Sequence, residues 1–175
     1  MKKAFSLIIA ALFVAGLVLT DAQGAFAAEA KFGYVDLAKV FDEYQKTKEF
    51  DKALEGKGAA KQAERDRIVA EVKKLRDEAE LMGAKAKEDK QAVIDEKIKT
   101  LQEFDRTTRD ALRRERDTMV RDILKEIEKV IQDQGKAQGY TFIFNDRVLV
   151  FKSEGNDLTA PVLKILNDSY ATKKK

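Results

Sequence analysis

Residues 68–98 read IVAEVKKLRDEAELMGAKAKEDKQAVIDEKI, and the reading of this stretch decides the fold. Ile68, Val72, Leu75, Ala79, Met82 and Ala86 follow one another at alternating steps of four and three, the a/d frame of a coiled-coil seam. Ile94, Ile98 and Leu101 resume those steps, and Leu112, Met119 and Ile123 fall in the same frame. Polar Asp105, Thr108 and Glu115 hold seam positions between them. Only in GAKAKEDKQA, between Met82 and Val93, do a glycine, small residues and charges replace the bulky apolar ones. The pattern predicts two α-helical arms over residues 37–138, with a reversal near 83–92 at the midpoint. Equal arms return both ends of the block to one place. The alternative is a straight rod of roughly 100 residues, about 150 Å long at the usual helical rise. The hairpin is favoured because the segments on either side of the block read as partners in one sheet.

The chain has 175 residues, 37% of them charged and 44% hydrophobic, with a single proline. That balance belongs to long helices and coiled coils. A thin hairpin buries little surface per residue, so any conventional core must be small. Cysteine and histidine are both absent, which removes disulfides, thiol chemistry, the commonest general base and the commonest transition-metal ligand. There is no phosphate-cradling glycine loop and no paired polar constellation of catalytic type, so neither an enzyme nor a cofactor is expected. Nucleic acid is not expected as a partner either, since no recognition motif is present.

Residues 1–27 read as a cleaved signal peptide. Lys2 and Lys3 precede an apolar run from Ala4 to Leu19, and Ala25-Phe26-Ala27 offers small residues at the two positions that a signal peptidase reads. Cleavage is expected after Ala27, which would make the mature chain exported and soluble. Loss of two lysines and Asp21 lowers the formal charge of +3 by one. The basic residues are unevenly spread. Arg106, Arg109, Arg113, Arg114 and Arg116 crowd one arm, Lys85, Lys87 and Lys90 sit near the reversal, and Lys173–Lys175 form a basic tail. Interleaved acids suit a solvated helix laced with local ion pairs, and a basic lining for acidic partners is the functional reading of the same residues.

A small β body, residues 28–36 and 139–172, is expected at the base. KFGYV, Lys31 to Val35, reads as a strand, and Asp36 stands where it can cap the helix that carries Leu37, Val40, Phe41 and Tyr44. Gly56 and Gly58 suggest a soft spot or bend in the first arm. The return arm ends in a denser apolar face of Ile123, Leu124, Ile127, Val130 and Ile131, so its base is buried and its tip is not. Gly139 is a good C′ residue. Tyr140–Phe144 and Arg147–Phe151 read as two strands joined by Asn145-Asp146, and Thr159 as the cap of a last helix that carries Val162, Leu163, Ile165 and Leu166. Tyr34, Val35, Phe142, Phe144, Val148, Val150, Leu163 and Leu166 are the expected body core or subunit interface. A sheet this small leaves edges and apolar faces that oligomerisation would cover.

KFGYVDLAKVF (31–41), GYTFIF (139–144), VLVF (148–151) and DLTAPVLKILND (157–168) together resemble the Skp (OmpH-like) family of periplasmic molecular chaperones in order and spacing. The chain departs from the family's closing motif at Ala160-Pro161, where acidic residues are common. The resemblance implies an α+β chain: a long antiparallel α-helical hairpin, or coiled-coil tentacle, on a small β body, assembled as a jellyfish-like homotrimer in the periplasm. It implies an ATP-independent holdase that keeps unfolded outer-membrane β-barrel proteins from aggregating between its arms. Anionic lipid or lipopolysaccharide is a further partner of such proteins. Candidate client contacts are Met82, Lys85, Lys87, Lys90, Phe104, Arg109 and Arg113. The competing function is a coiled-coil spacer or tether in the cell envelope.

Overall fold

The computed structural model describes residues 30–174, so the expected signal peptide, the first residues after it and Lys175 lie outside the described residues. The chain divides at Lys31, and the elements belong to the unit that begins at Phe32. They are β1 (Phe32–Val35), α1 (Leu37–Glu43), α2 (Gln45–Glu80), α3 (Ala84–Ala137), β2 (Phe142–Asn145), two single turns of 3₁₀ helix at Asp146–Val148 and Glu154–Asn156, and α4 (Thr159–Lys173).

The sequence signals for element ends act as expected in two places. Asp36 has extended backbone and its Oδ1 accepts from the Lys39 N–H at 2.9 Å, which satisfies one of the orphan donors at the start of α1. At the far end of α3, Gly139 takes φ +68°, a conformation costly for any side chain. The Gly139 N–H then reaches Lys136 O and the Tyr140 N–H reaches Gly135 O, the paired bonds of a Schellman ending.

The sheet departs from expectation. β1 and β2 pair in parallel, Phe32 opposite Phe142 and Val35 opposite Asn145. A third parallel partner is present only as an isolated bridge from Tyr34 to Asp157. Residues 147–151 are not the second strand of a hairpin. The Asn145 side chain accepts from the Arg147 N–H and starts a 3₁₀ turn, and the segment beyond runs exposed without a ladder. Its β-branched residues have propensity for a strand, but no edge within the same chain receives them. Thr159 does not cap α4 but is its first residue. Its Oγ1 accepts from the Asp36 N–H at 3.0 Å, and its own N–H donates to Asp157 Oδ1 at 2.8 Å, so the starts of α1 and α4 are knotted together.

The two arms are α2 and α3. The reversal occupies Leu81–Gly83, at the leading edge of the 83–92 segment rather than within it. AKAKEDKQA is good helix-forming sequence, so helix resumes at Ala84 directly after Gly83, whose backbone is extended. α2 passes Gly56 and Gly58 without a break in the helix. A break does occur at Tyr44, whose ψ of 126° separates α1 from α2 with neither proline nor glycine present.

The core sits at the base. Val35, Val40, Tyr44, Ile123, Ile127, Val162 and Leu166 are almost fully buried together, where α1, α3 and α4 meet the sheet, each side chain contributing about 1.5–3 kcal/mol of burial. Of the expected body core, Tyr34, Val35 and Leu166 are buried and Leu163 packs against the cluster. Phe142, Phe144, Val148 and Val150 are exposed in the single chain, so they are not part of its core. A second, smaller cluster of Val72, Ala79 and Ile94, flanked by Leu75 and Ile98, closes the arms near the tip. Met82 lies in the turn and Ala86 on an exposed face, so the seam ends at Ala79.

Candidate functional site

Five ion pairs link the two arms along their length. From base to tip, Lys46 meets Glu126 at 2.7 Å, Lys57 meets Glu115, Arg65 meets Asp105 at 2.9 Å, Glu71 meets Lys97 at 2.8 Å and Glu78 meets Lys90 at 2.6 Å. Partner positions climb on α2 as they descend on α3, so these pairs fix an antiparallel register. The polar seam residues Asp105 and Glu115 are thus spent on ion pairs across the seam. The Lys97 and Lys90 ammonium groups hold the Glu71 and Glu78 carboxyls below the usual carboxylate range. Ala60, Thr108, Ala111, Leu112 and the Lys57–Glu115 pair line a groove of about 310 Å³ at mid-length.

The seven candidate client contacts separate into two groups whose centres are roughly 35 Å apart along the helix axis at about 1.5 Å per residue. At the tip, Met82 is exposed in the turn, and Lys85 and Lys87 are exposed with no ion pair among the described residues. Lys90 differs, being half-buried against Glu78, so its charge is used to close the tip. In the middle of α3, Phe104 is half-buried under the Lys61 ammonium, 5.3 Å from the ring centroid. Arg109 is exposed, and Arg113 reaches only Asp117 on its own helix, at 3.8 Å. Arg106, Arg109, Arg113 and Arg116 recur at steps of three and four along one face of α3. At its lower end this stripe meets an apolar groove lined by Leu37, Phe41, Val120, Leu124 and Arg116, which sequence reasoning did not single out. Its signal was present in Val120 and Leu124, apolar residues outside the seam frame. Leu81, 90% exposed at the turn, was also missed.

The body carries the other exposed apolar surface. Phe32, Phe142 and Phe144 stack on one face of the sheet with centroids 5.9–6.5 Å apart, yet each stays well exposed. Val148, Val150 and Phe151 stand exposed on the segment that follows. Lys173 and Lys174 do not form a free tail. Lys173 lies 3.4 Å from Glu126 and Lys174 lies 2.6 Å from Glu49. Among the described residues there is no group of three or more metal-ligating side chains, and no helix long and apolar enough to cross a membrane.

Two helices of unequal length, folded against each other over a two-stranded parallel sheet and a short closing helix, define a class of hairpin proteins whose arms project from a small body. The family described as "Outer membrane protein (OmpH-like)" matches residues 31–166, and the chain belongs to that family. The fold is also that of a crystallised protein from Caulobacter crescentus CB15 described as an OmpH-like outer membrane chaperone. The two share 14% identity at a TM-score of 0.75, with 81% of this chain and 86% of that one covered. No curated protein matches the chain.

Proposed function

We propose that the protein is an ATP-independent periplasmic holdase that receives unfolded outer-membrane β-barrel proteins between its arms and prevents their aggregation before membrane insertion. The observation that carries this reading is the pair of arms itself. Their fully buried apolar side chains cluster at the base and near the tip, and they leave Leu81, Met82, Lys85 and Lys87 exposed at the tip and Arg109 exposed on α3. An unfolded barrel precursor exposes alternating apolar strands that pair with one another when left in solution. Arms that offer many weak apolar and cationic contacts separate such chains without fixing them in one pose. Membership of a family that includes a protein described as an outer membrane chaperone supports the same role.

Three copies would close the body. The stacked phenylalanines and the exposed Val148–Phe151 segment form an apolar surface of the kind that a soluble chain covers by self-association. The test is light scattering of a denatured barrel protein diluted into buffer with and without this chain, paired with the mass of the chain in solution. Suppressed scattering by a species of three chains is the expected result. A dimer or monomer that leaves scattering unchanged would support the spacer instead.

A further inference from the structure

The chain ends in a set of polar contacts that caging a client does not require. Tyr44 is the joint between body and arm, and nothing local in the sequence breaks the helix there. Four residues from the last two turns of α4 converge on that joint. Asn167 Oδ1 accepts from the Gln45 N–H at 2.9 Å, so the first turn of α2 is capped by another helix. The Tyr170 ring stands edge-on to Tyr44 with centroids 5.9 Å apart, and its hydroxyl donates to Glu49 Oε2 at 2.9 Å. Lys174 Nζ donates to the same carboxylate oxygen at 2.6 Å. Lys173 reaches Glu126 on the return arm, whose other oxygen holds Lys46. One helix of the body therefore grips both arms at their roots.

We infer that the end of α4 is a latch that sets the angle at which the first arm, α2, leaves the body, with Tyr170 and Lys174 as positioning residues that act through Glu49. The apolar core reaches the first arm only as far as Tyr44 and Phe50. Between those two residues the root of α2 is also held by polar contacts, the Asn167 cap on Gln45, the two ties to Glu49 and the Lys46–Glu126 pair, which break without opening the core. Tyr44 supplies the pivot, a residue with extended backbone between two rigid helices. The consequence for clients, a fixed width between arms when latched and a wider one when released, rests on the holdase reading. The geometry of the latch does not.

The chain has no cysteine, so spin labels go only where cysteines are placed. Ser153→Cys on the body and Ala92→Cys beyond the turn are both at exposed positions. Labelled chains are diluted into unlabelled ones so that distances within one chain dominate, and the full-length protein is measured by pulsed electron spin resonance. The intact latch should give one narrow distance distribution. Tyr170→Phe combined with Lys174→Gln keeps the ring packing and removes both ties, and should at least double the width. Lys174→Glu alone should broaden it too, and pairing that change with Glu49→Lys should restore the narrow form. An unchanged width in the double variant overturns the latch. So does broadening that comes only with a fall in melting temperature as large as that of the core variant Ile123→Ala. No client enters this measurement, so a failed light-scattering assay sinks the holdase reading alone, and unchanged widths sink the latch alone.

Discussion

Replacing both Arg65 and Asp105 with leucine should tighten the middle of the arms. The two side chains face each other across the seam at 2.9 Å, with 39% and 33% of their surfaces still exposed. Full burial of a leucine side chain contributes about 1.5–3 kcal/mol, so two leucines roughly two-thirds covered gain about 2–4 kcal/mol together. Against this stands an ion pair in contact with water, worth about 0.2–1 kcal/mol. The net gain of about 1–3 kcal/mol corresponds to a rise in Tm of roughly 3–10 °C for a chain of this size. Asp105→Leu alone leaves the Arg65 guanidinium without its partner but still hydrated, and should fall between the parent and the double variant. The assay is thermal unfolding followed by far-UV circular dichroism at low and high salt. The double variant should also lose part of the parent's salt sensitivity, because one rung of the charged ladder is gone. A double variant that melts below the parent would refute the reasoning, for the charges would then bind the arms more tightly than apolar contact can. On the holdase reading the stiffened arms should also suppress aggregation of large clients less well than of small ones.

Gly56→Ala with Gly58→Ala should stabilise the protein by about 1–2 kcal/mol in urea denaturation, because a Cβ at either site meets nothing within 4 Å and alanine favours an intact helix. A loss of stability would mean that α2 must deform there. Gly33→Ala should cost about 1–3 kcal/mol in the same assay, since its Cβ would lie 2.9 Å from both Leu158 Cδ1 and Tyr140 Cε1. Acid should loosen the latch and the ladder together. Glu49 is held below the usual 4.5 by bonds from Lys174, Tyr170 and Gln45, and Glu71 and Glu78 by Lys97 and Lys90. Burial pushes Glu126 up, but Lys46 and Lys173 outweigh it and the net direction is downward. A carboxyl depressed in the folded state contributes fully above its unfolded value and loses that contribution as pH falls through the lower folded one. Tm should therefore hold from neutral pH to about 5 and fall below about 4.5, with a smaller fall in Glu49→Gln/Glu126→Gln; equal falls in parent and variant would contradict this.

Those features of the fold that rest on local chemistry could be read from the sequence. Asp36 caps because a short carboxylate precedes an apolar helical stripe, and Gly139 ends a helix because only glycine takes its φ cheaply. The frame through Val72, Ala79 and Ile94 survives because periodicity alone decides which face is buried. What was not legible depends on distant partners. The break at Tyr44 is held by Tyr170 and Asn167, more than 120 positions later in the chain. The last lysines read as a solvated tail until Glu49 and Glu126 are seen beside them. Residues 147–151 have the composition of a strand, but propensity cannot supply the edge that a strand needs. Among the candidate contacts, Lys90 has a partner that local sequence does not show, since Glu78 reaches it from the other arm.

The polar middle of the seam needs a reason, because a hairpin of leucines would be more stable. Register supplies one. A slide of one heptad between the arms would set Arg65 against Ile98 or Leu112, and Glu71 against Lys90 or Phe104, so at least one charge would lose its partner in either direction. The apolar cluster of Val72, Ala79 and Ile94 is confined to the tip, and its contacts are not directional. Charge pairs therefore specify the alignment and add little net stability, a division that suits residues still open to water. On the holdase reading the same division bears on clients. Where the arms are joined by exposed ion pairs and a shallow groove, side chains from an unfolded chain compete with weak contacts and leave again easily. A seam packed throughout like the base would hold its shape better and have less to give to a client.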